Sequence, residues 1–248
     1  MERFEYFLNL QQNMVKEVSA QFLAQTVNSE YAKRIEEINE LTRQTGLEHS
    51  FLVYKILGRE KVIYPHNNLG KKYTTGEERM IKQEIKPFYI INNFNDSYIA
   101  YLLLATHSHP NGMVCPSAVD LESLASKRRN YLNYHGLDIR PISVVTTNYS
   151  EDSNLLSVMM LQEKTSEPLK GKIFQEIEAE FRKKFDFSKN PKYKEIVIDG
   201  RKYRVLPMDE FYEETGFYNA LAVHFEKRKG LSIPATNLEK FTTVLDLQ

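Results

Sequence analysis

The chain has one cysteine, Cys115, among its 248 residues. An intrachain disulfide is therefore excluded, and the composition suits a reducing, cytoplasmic compartment. An excess of charge of one sign is missing too. The 33 Lys+Arg are matched by 33 Asp+Glu, so no global field draws the protein to nucleic acid or to an anionic membrane. No apolar run approaches the roughly 18 residues needed to span a bilayer. The opening Met-Glu-Arg-Phe-Glu-Tyr-Phe is acidic as well as basic and does not read as a signal peptide. Internal repeats and low-complexity tracts are also lacking. What is present, 42% apolar and 12% aromatic residues, favours a folded core over disorder. The length allows one large domain, or one domain with appendages.

The apolar pattern divides the chain. Phe4, Phe7, Leu8, Met14, Val15, Val18 and Phe22 recur at helical steps, followed by Ile35, Ile38 and Leu41, with Gly46 as a stop. Residues 51–57 are rich in Phe, Val, Tyr and Ile and read as a strand, with 61–64 as its hairpin partner. Residues 65–76 read as loop and 77–86 as a short helix. Residues 99–106 are almost wholly apolar and predict a buried central strand. A helix follows from Ser117 to about Tyr134, ended by Gly136, then two strands over 142–146 and 155–162. A boundary is expected near Glu167-Pro168. Beyond it lie an amphipathic helix over 169–185, a hairpin around Asp199-Gly200 and a largely helical stretch over 211–229 broken near Gly216. The tail from Gly230 reads as irregular. The expectation is a mixed α/β fold.

The stretch after the central strand carries the chemistry. His107, His109, Ser117 and Asp120 form the pattern H-x-H-x7-S-x2-D. In an extended backbone, residues two apart point the same way. His107 and His109 would then project together from the carboxyl end of the strand, where open α/β sheets tend to place ligands. Pro110 and Gly112 turn the chain, and Asp120 falls in the first turn of the next helix, from which its carboxylate can reach back. Two imidazoles and one carboxylate suit a catalytic zinc with its fourth position open to water. Ser117-x-x-Asp120 taken alone is a common helix cap, and a lone H-x-H is usually a pair of loop histidines. The full pattern at the end of an apolar strand is much rarer and points to a metal centre.

His107-Ser-His109-Pro, with Ser117 and Asp120 at these spacings, resembles the signature of the JAMM (MPN/JAB) metalloproteases. The resemblance covers roughly residues 47–162. It implies a cytidine-deaminase-like α/β fold with a central mixed sheet flanked by helices, here over 47–167. Residues 1–46 would form a helical N-terminal extension and 168–248 an α+β C-terminal extension. It also implies one Zn2+ per chain held by His107, His109 and Asp120. The activity implied is hydrolysis after the C-terminus of ubiquitin or a ubiquitin-like protein, as substrate or conjugate. In that family an upstream glutamate serves as acid–base catalyst. Glu48, just before the first strand, matches best, with Glu36 and Glu37 as alternatives inside a helical pattern and Glu60 at a turn. Ser117 would help stabilise the oxyanion. The extensions are expected to hold the body of the substrate or to pair two copies of the chain.

Other readings stay open. Leu47-Glu48-His-Ser-Phe-Leu-Val-Tyr is similar to a stretch of the RadC-like branch associated with DNA, but Ser108 stands where those proteins carry Asn, and no helix-hairpin-helix precedes it. A non-catalytic MPN scaffold would usually lose the ligands, which are intact. Deaminases need H-x-E and a later C-x-x-C, which one cysteine cannot supply. Cys115 reads as a small packing thiol, His49 and His66 as surface or supporting histidines, and His135 and His224 receive no role. Lys127-Arg128-Arg129 reads as a solvated helix face.

Overall fold

Residues 99–106 form the middle of the strand around which the molecule is built. The structure, a computed structural model, describes residues 29–56, 62–63, 88–93, 96–110, 114, 116–135, 140–150, 153–161, 193–198, 200–230, 232, 234–235, 238 and 240–243. In chain order the elements are α1 (Ser29–Thr45), β1 (Ser50–Ile56), β2 (Val62–Ile63), β3 (Phe88–Asn93), β4 (Asp96–Ser108) and α2 (Ala118–His135). They continue as β5 (Ile142–Ser150), β6 (Ser153–Leu161), β7 (Lys194–Ile198), β8 (Arg201–Val205), α3 (Met208–Glu214), α4 (Phe217–Lys229) and β9 (Phe241–Thr243). The fold is mixed α/β.

The strands make one mixed sheet in the order β2-β1-β4-β5-β6-β8-β7, with β3 also on β4 and β9 also on β6. β4 is its centre. One edge pairs antiparallel with β1 over residues 100–107. The other pairs antiparallel with β3 over 96–101, then parallel with β5 over 104–108. Enclosed in this way, residues 100–104 are buried, which is why the run is apolar without alternation. Parallel pairing of β4 with β5 requires a crossover, and α2 lies in it.

Helices cover both faces. Tyr31, Ala32, Ile35 and Ile38 of α1 lie at helical spacing and pack with Phe51, Val53, Leu104, Val144 and Leu156. Each fully buried aliphatic side chain contributes about 1.5–3 kcal/mol. Polar rungs cross the same contact: Tyr31 Oη lies 2.9 Å from Thr106 Oγ1, and Asn39 Nδ2 donates to Thr146 Oγ1 at 3.0 Å. In a second core cluster, Leu121, Leu124 and Ala125 of α2 pack with Leu155, Met208, Tyr212, Phe217 and Leu221. The segments expected as extensions thus contribute α1 to the first core, and β7, β8, α3 and α4 to the sheet and the two cores.

Turn chemistry accounts for several boundaries. β7 and β8 form an antiparallel hairpin pairing Ile198 with Arg201, with Gly200 at φ 75°, as Asp199-Gly200 predicts. Gly216 at φ 70° separates α3 from α4. Gly230 at φ 62° ends α4, its N–H donating to Glu226 O at 3.0 Å. Two strands depart from expectation. β3 falls on Phe-Tyr-Ile-Ile, a β-prone run left unassigned at the sequence level. β9 lies in the tail read as irregular, where it pairs antiparallel with the end of β6. The helices expected over the first 28 residues, 77–86 and 169–185 lie outside the described residues. Among the described residues no helix is long and apolar enough to cross a membrane.

Candidate metal centre

The pairing of β4 with β5 sets the direction of both histidines. His107 is within the parallel ladder, opposite Val145. The ladder is prolonged by His109 N–H donating to Thr146 O at 2.9 Å, while Thr147 Oγ1 donates to His109 O at 3.0 Å. This extended backbone puts the two imidazoles on one face and Ser108 on the other. The Nε2 atoms of His107 and His109 lie 3.1 Å apart.

Asp120 comes from the first turn of α2. Ser117 donates to its Oδ2 twice, from N–H at 2.7 Å and from Oγ at 2.8 Å, and Asp120 N–H returns to Ser117 Oγ at 3.3 Å. This is a reciprocal helix cap with aspartate in the acidic position. The cap fixes the carboxylate with Oδ1 3.2 Å from His107 Nε2 and Oδ2 3.6 Å from His109 Nε2. The three ligand atoms lie within 4.8 Å of one another. Two imidazole nitrogens and a carboxylate converging on one point, with the carboxylate oriented by a neighbouring hydroxyl and amide, fit a divalent cation such as zinc. Burial by itself would raise the Asp120 carboxyl. The charge and hydrogen bonding of His107 and His109 outweigh it and hold the group well below the usual carboxylate range.

Glu48 enters from the junction of α1 and β1. Gly46, at φ 63°, closes α1 with its N–H donating to Thr42 O at 2.8 Å. Two residues on, Glu48 Oε1 lies 4.0 Å from His109 Nε2. Burial pushes its carboxyl up from 4.5 to about 7; His109 lowers it and Asp120 raises it further. The sequence alternatives on α1 point elsewhere: Glu36 is exposed and ion-paired with Arg201, and Glu37 is exposed. Glu60, His66 and Cys115 lie outside the described residues. His49 is buried, with Nε2 2.9 Å from Thr45 Oγ1, so its ring faces α1 rather than the ligand set.

Two features escaped the sequence reading. Ser108 is fully buried and bonded to His49, though nothing in the sequence links these positions. The Lys127-Arg128-Arg129 run is part-buried rather than a solvated face, a correction explained by the packing of α2 into the second core cluster. Lys127 is two turns from Asp120 on α2, and burial lowers its ammonium from 10.5 to about 8, with Asp120 acting against the shift. The i, i+7 spacing was the available signal. No family model matches the chain, and no curated protein matches it.

Proposed function

We propose that this chain is a zinc-dependent peptidase or isopeptidase of the JAMM type, built on an MPN/JAB domain. Its reaction is hydrolysis of the bond that follows the C-terminus of ubiquitin or a ubiquitin-like protein. The observation that carries the reading is the convergence of His107, His109 and Asp120, with Glu48 Oε1 4.0 Å from His109 Nε2.

His107, His109 and Asp120 would hold the ion. When bound, zinc supplies Lewis acidity, which acidifies a water molecule and polarises a carbonyl. Glu48 takes the proton from the attacking water and delivers it to the departing amine. In the metal-free chain burial raises the Glu48 carboxyl well above its usual range; a bound cation would act against that rise, and a carboxyl placed between these two influences can both accept and return the proton. In an isopeptide the departing amine is a lysine side chain. Ser117 has two roles in turn. Its hydroxyl orients Asp120 Oδ2 at 2.8 Å, and, as the resemblance implies, it would donate to the tetrahedral oxyanion during the reaction.

The test is zinc content by elemental analysis of the wild type and Asp120→Ala, followed by assay of a ubiquitin-like protein extended at its C-terminus. About one zinc per chain, lost in the variant, and cleavage abolished in Glu48→Gln support the reading. A wild type that takes up no zinc after reconstitution would overturn it.

A further inference from the structure

Ser108 stands between two proposed ligands, yet its side chain leaves the metal centre and enters the opposite face of the sheet. There it is fully buried. Its hydroxyl accepts from His49 N–H at 3.1 Å and donates to His49 O at 3.1 Å. Thr42 Oγ1, from the last turns of α1, is the third partner. A serine hydroxyl has one hydrogen and two lone pairs, and these three bonds use all of them. The backbone adds a fourth tie, Ser108 N–H to His49 O at 2.9 Å.

These bonds grip the residue next to Glu48. On its other side, Gly46 is tied to Thr42 O at 2.8 Å, and Leu47 N–H donates to Thr45 Oγ1 at 3.3 Å. The same Thr45 oxygen lies 2.9 Å from His49 Nε2. Residues 46, 47 and 49 are thus fastened to α1 or β4. Glu48 reaches the other way, toward His109.

We infer that Ser108 is a positioning residue that clamps His49 and thereby holds the Glu48 carboxylate beside the metal ligands. The inference deepens the proposed reading of Glu48 as acid–base catalyst and rests on it. The clamp is separate from the ligands, because the Ser108 hydroxyl lies on the opposite face of the sheet from both imidazoles.

The experiment is NMR on the full zinc-treated chain, labelled with 15N and with 13C at the glutamate carboxyls, for wild type, Ser108→Ala, Ser108→Thr and Glu48→Gln. The Gln variant identifies the Glu48 carboxyl signal by its disappearance. In Ser108→Ala, exchange of the His49 amide should accelerate at least tenfold, and the Glu48 signal should move toward that of solvent-exposed glutamates. Amides of Val53 and Leu104 should stay protected, and zinc content should stay unchanged. Ser108→Thr, which keeps the hydroxyl, should restore both signals. If the alanine chain does not fold, Ser108→Cys supplies a side chain of similar volume that bonds weakly. An unmoved Glu48 signal, or a threonine variant that fails to restore it, overturns the clamp. Zinc loss in Ser108→Ala comparable with that in Asp120→Ala also overturns it, by making Ser108 a support for the ligands. A wild type without zinc, or a catalytically active Glu48→Gln, overturns the catalytic reading instead and leaves the clamp to be judged on the two signals.

Discussion

Asp120 and Ser117 bind each other reciprocally: Oδ2 takes both the Ser117 N–H and Oγ–H, and the Asp120 N–H returns to Ser117 Oγ. One carboxylate therefore starts a helix and completes a group that could hold a metal ion. Ser117→Ala removes one bond to Oδ2 and the side-chain cap. Thermal or urea unfolding should show a loss of about 0.5–2 kcal/mol. Competition with a chromophoric chelator should show zinc affinity falling roughly 10–100-fold. Unchanged affinity would mean that the Ser117 N–H alone orients the carboxylate.

Glu48 makes the stability of the metal-free chain depend on pH. Its carboxyl ionises near 4.5 when unfolded and at about 7 when folded, so the folded state favours the protonated form. Stability contributed through this group falls as pH rises from 4.5 to 7 and is constant beyond. Glu48→Gln removes the dependence. Urea midpoints measured without zinc should show the variant gaining on the wild type between pH 5 and pH 8; a gain that shrinks with pH has the wrong sign.

Lys127 predicts the reverse slope at higher pH. Its ammonium is lowered from 10.5 to about 8 by burial, so the unfolded chain binds the proton more tightly. Relative to Lys127→Met, the wild type should gain stability as pH rises from 8 to 10.5, and below pH 8 the methionine chain should be the more stable. Parallel pH profiles for the two chains would place the Lys127 ammonium in water.

Ile35 is fully buried on the face of α1 that meets the sheet. Ile35→Ala should cost about 2–5 kcal/mol in cooperative unfolding, the whole sheet melting with α1. A separate early transition confined to α1 would show instead that this helix is only loosely attached.

The candidate metal-binding group was legible because its geometry is local. A two-residue step along a strand aligns His107 with His109, and the first turn of the next helix, with its Ser117 cap, presents Asp120 to them. Glu48 was harder: one glutamate among many has no local mark, and its selection relied on resemblance. The partners of Ser108 were not legible, since His49 and Thr42 lie 59 and 66 positions away in sequence and meet it only through sheet pairing and helix docking. β3 and β9 are edge strands whose definition depends on β4 and β6 as much as on their own residues. The basic run on α2 misled because charge was read as exposure, whereas long cationic side chains can lie along a packed surface.

The ligands occupy one contiguous stretch, residues 107–120, whereas Glu48 reaches them only through the pairing of β1 with β4. On the proposed reading, holding an ion and using it are inherited separately. Damage confined to the α1–β1 junction would leave a pseudoenzyme: metal-loaded, folded over most of its length, and silent. A homologue with every ligand intact could still have lost its chemistry at a site that no comparison of ligands would reveal.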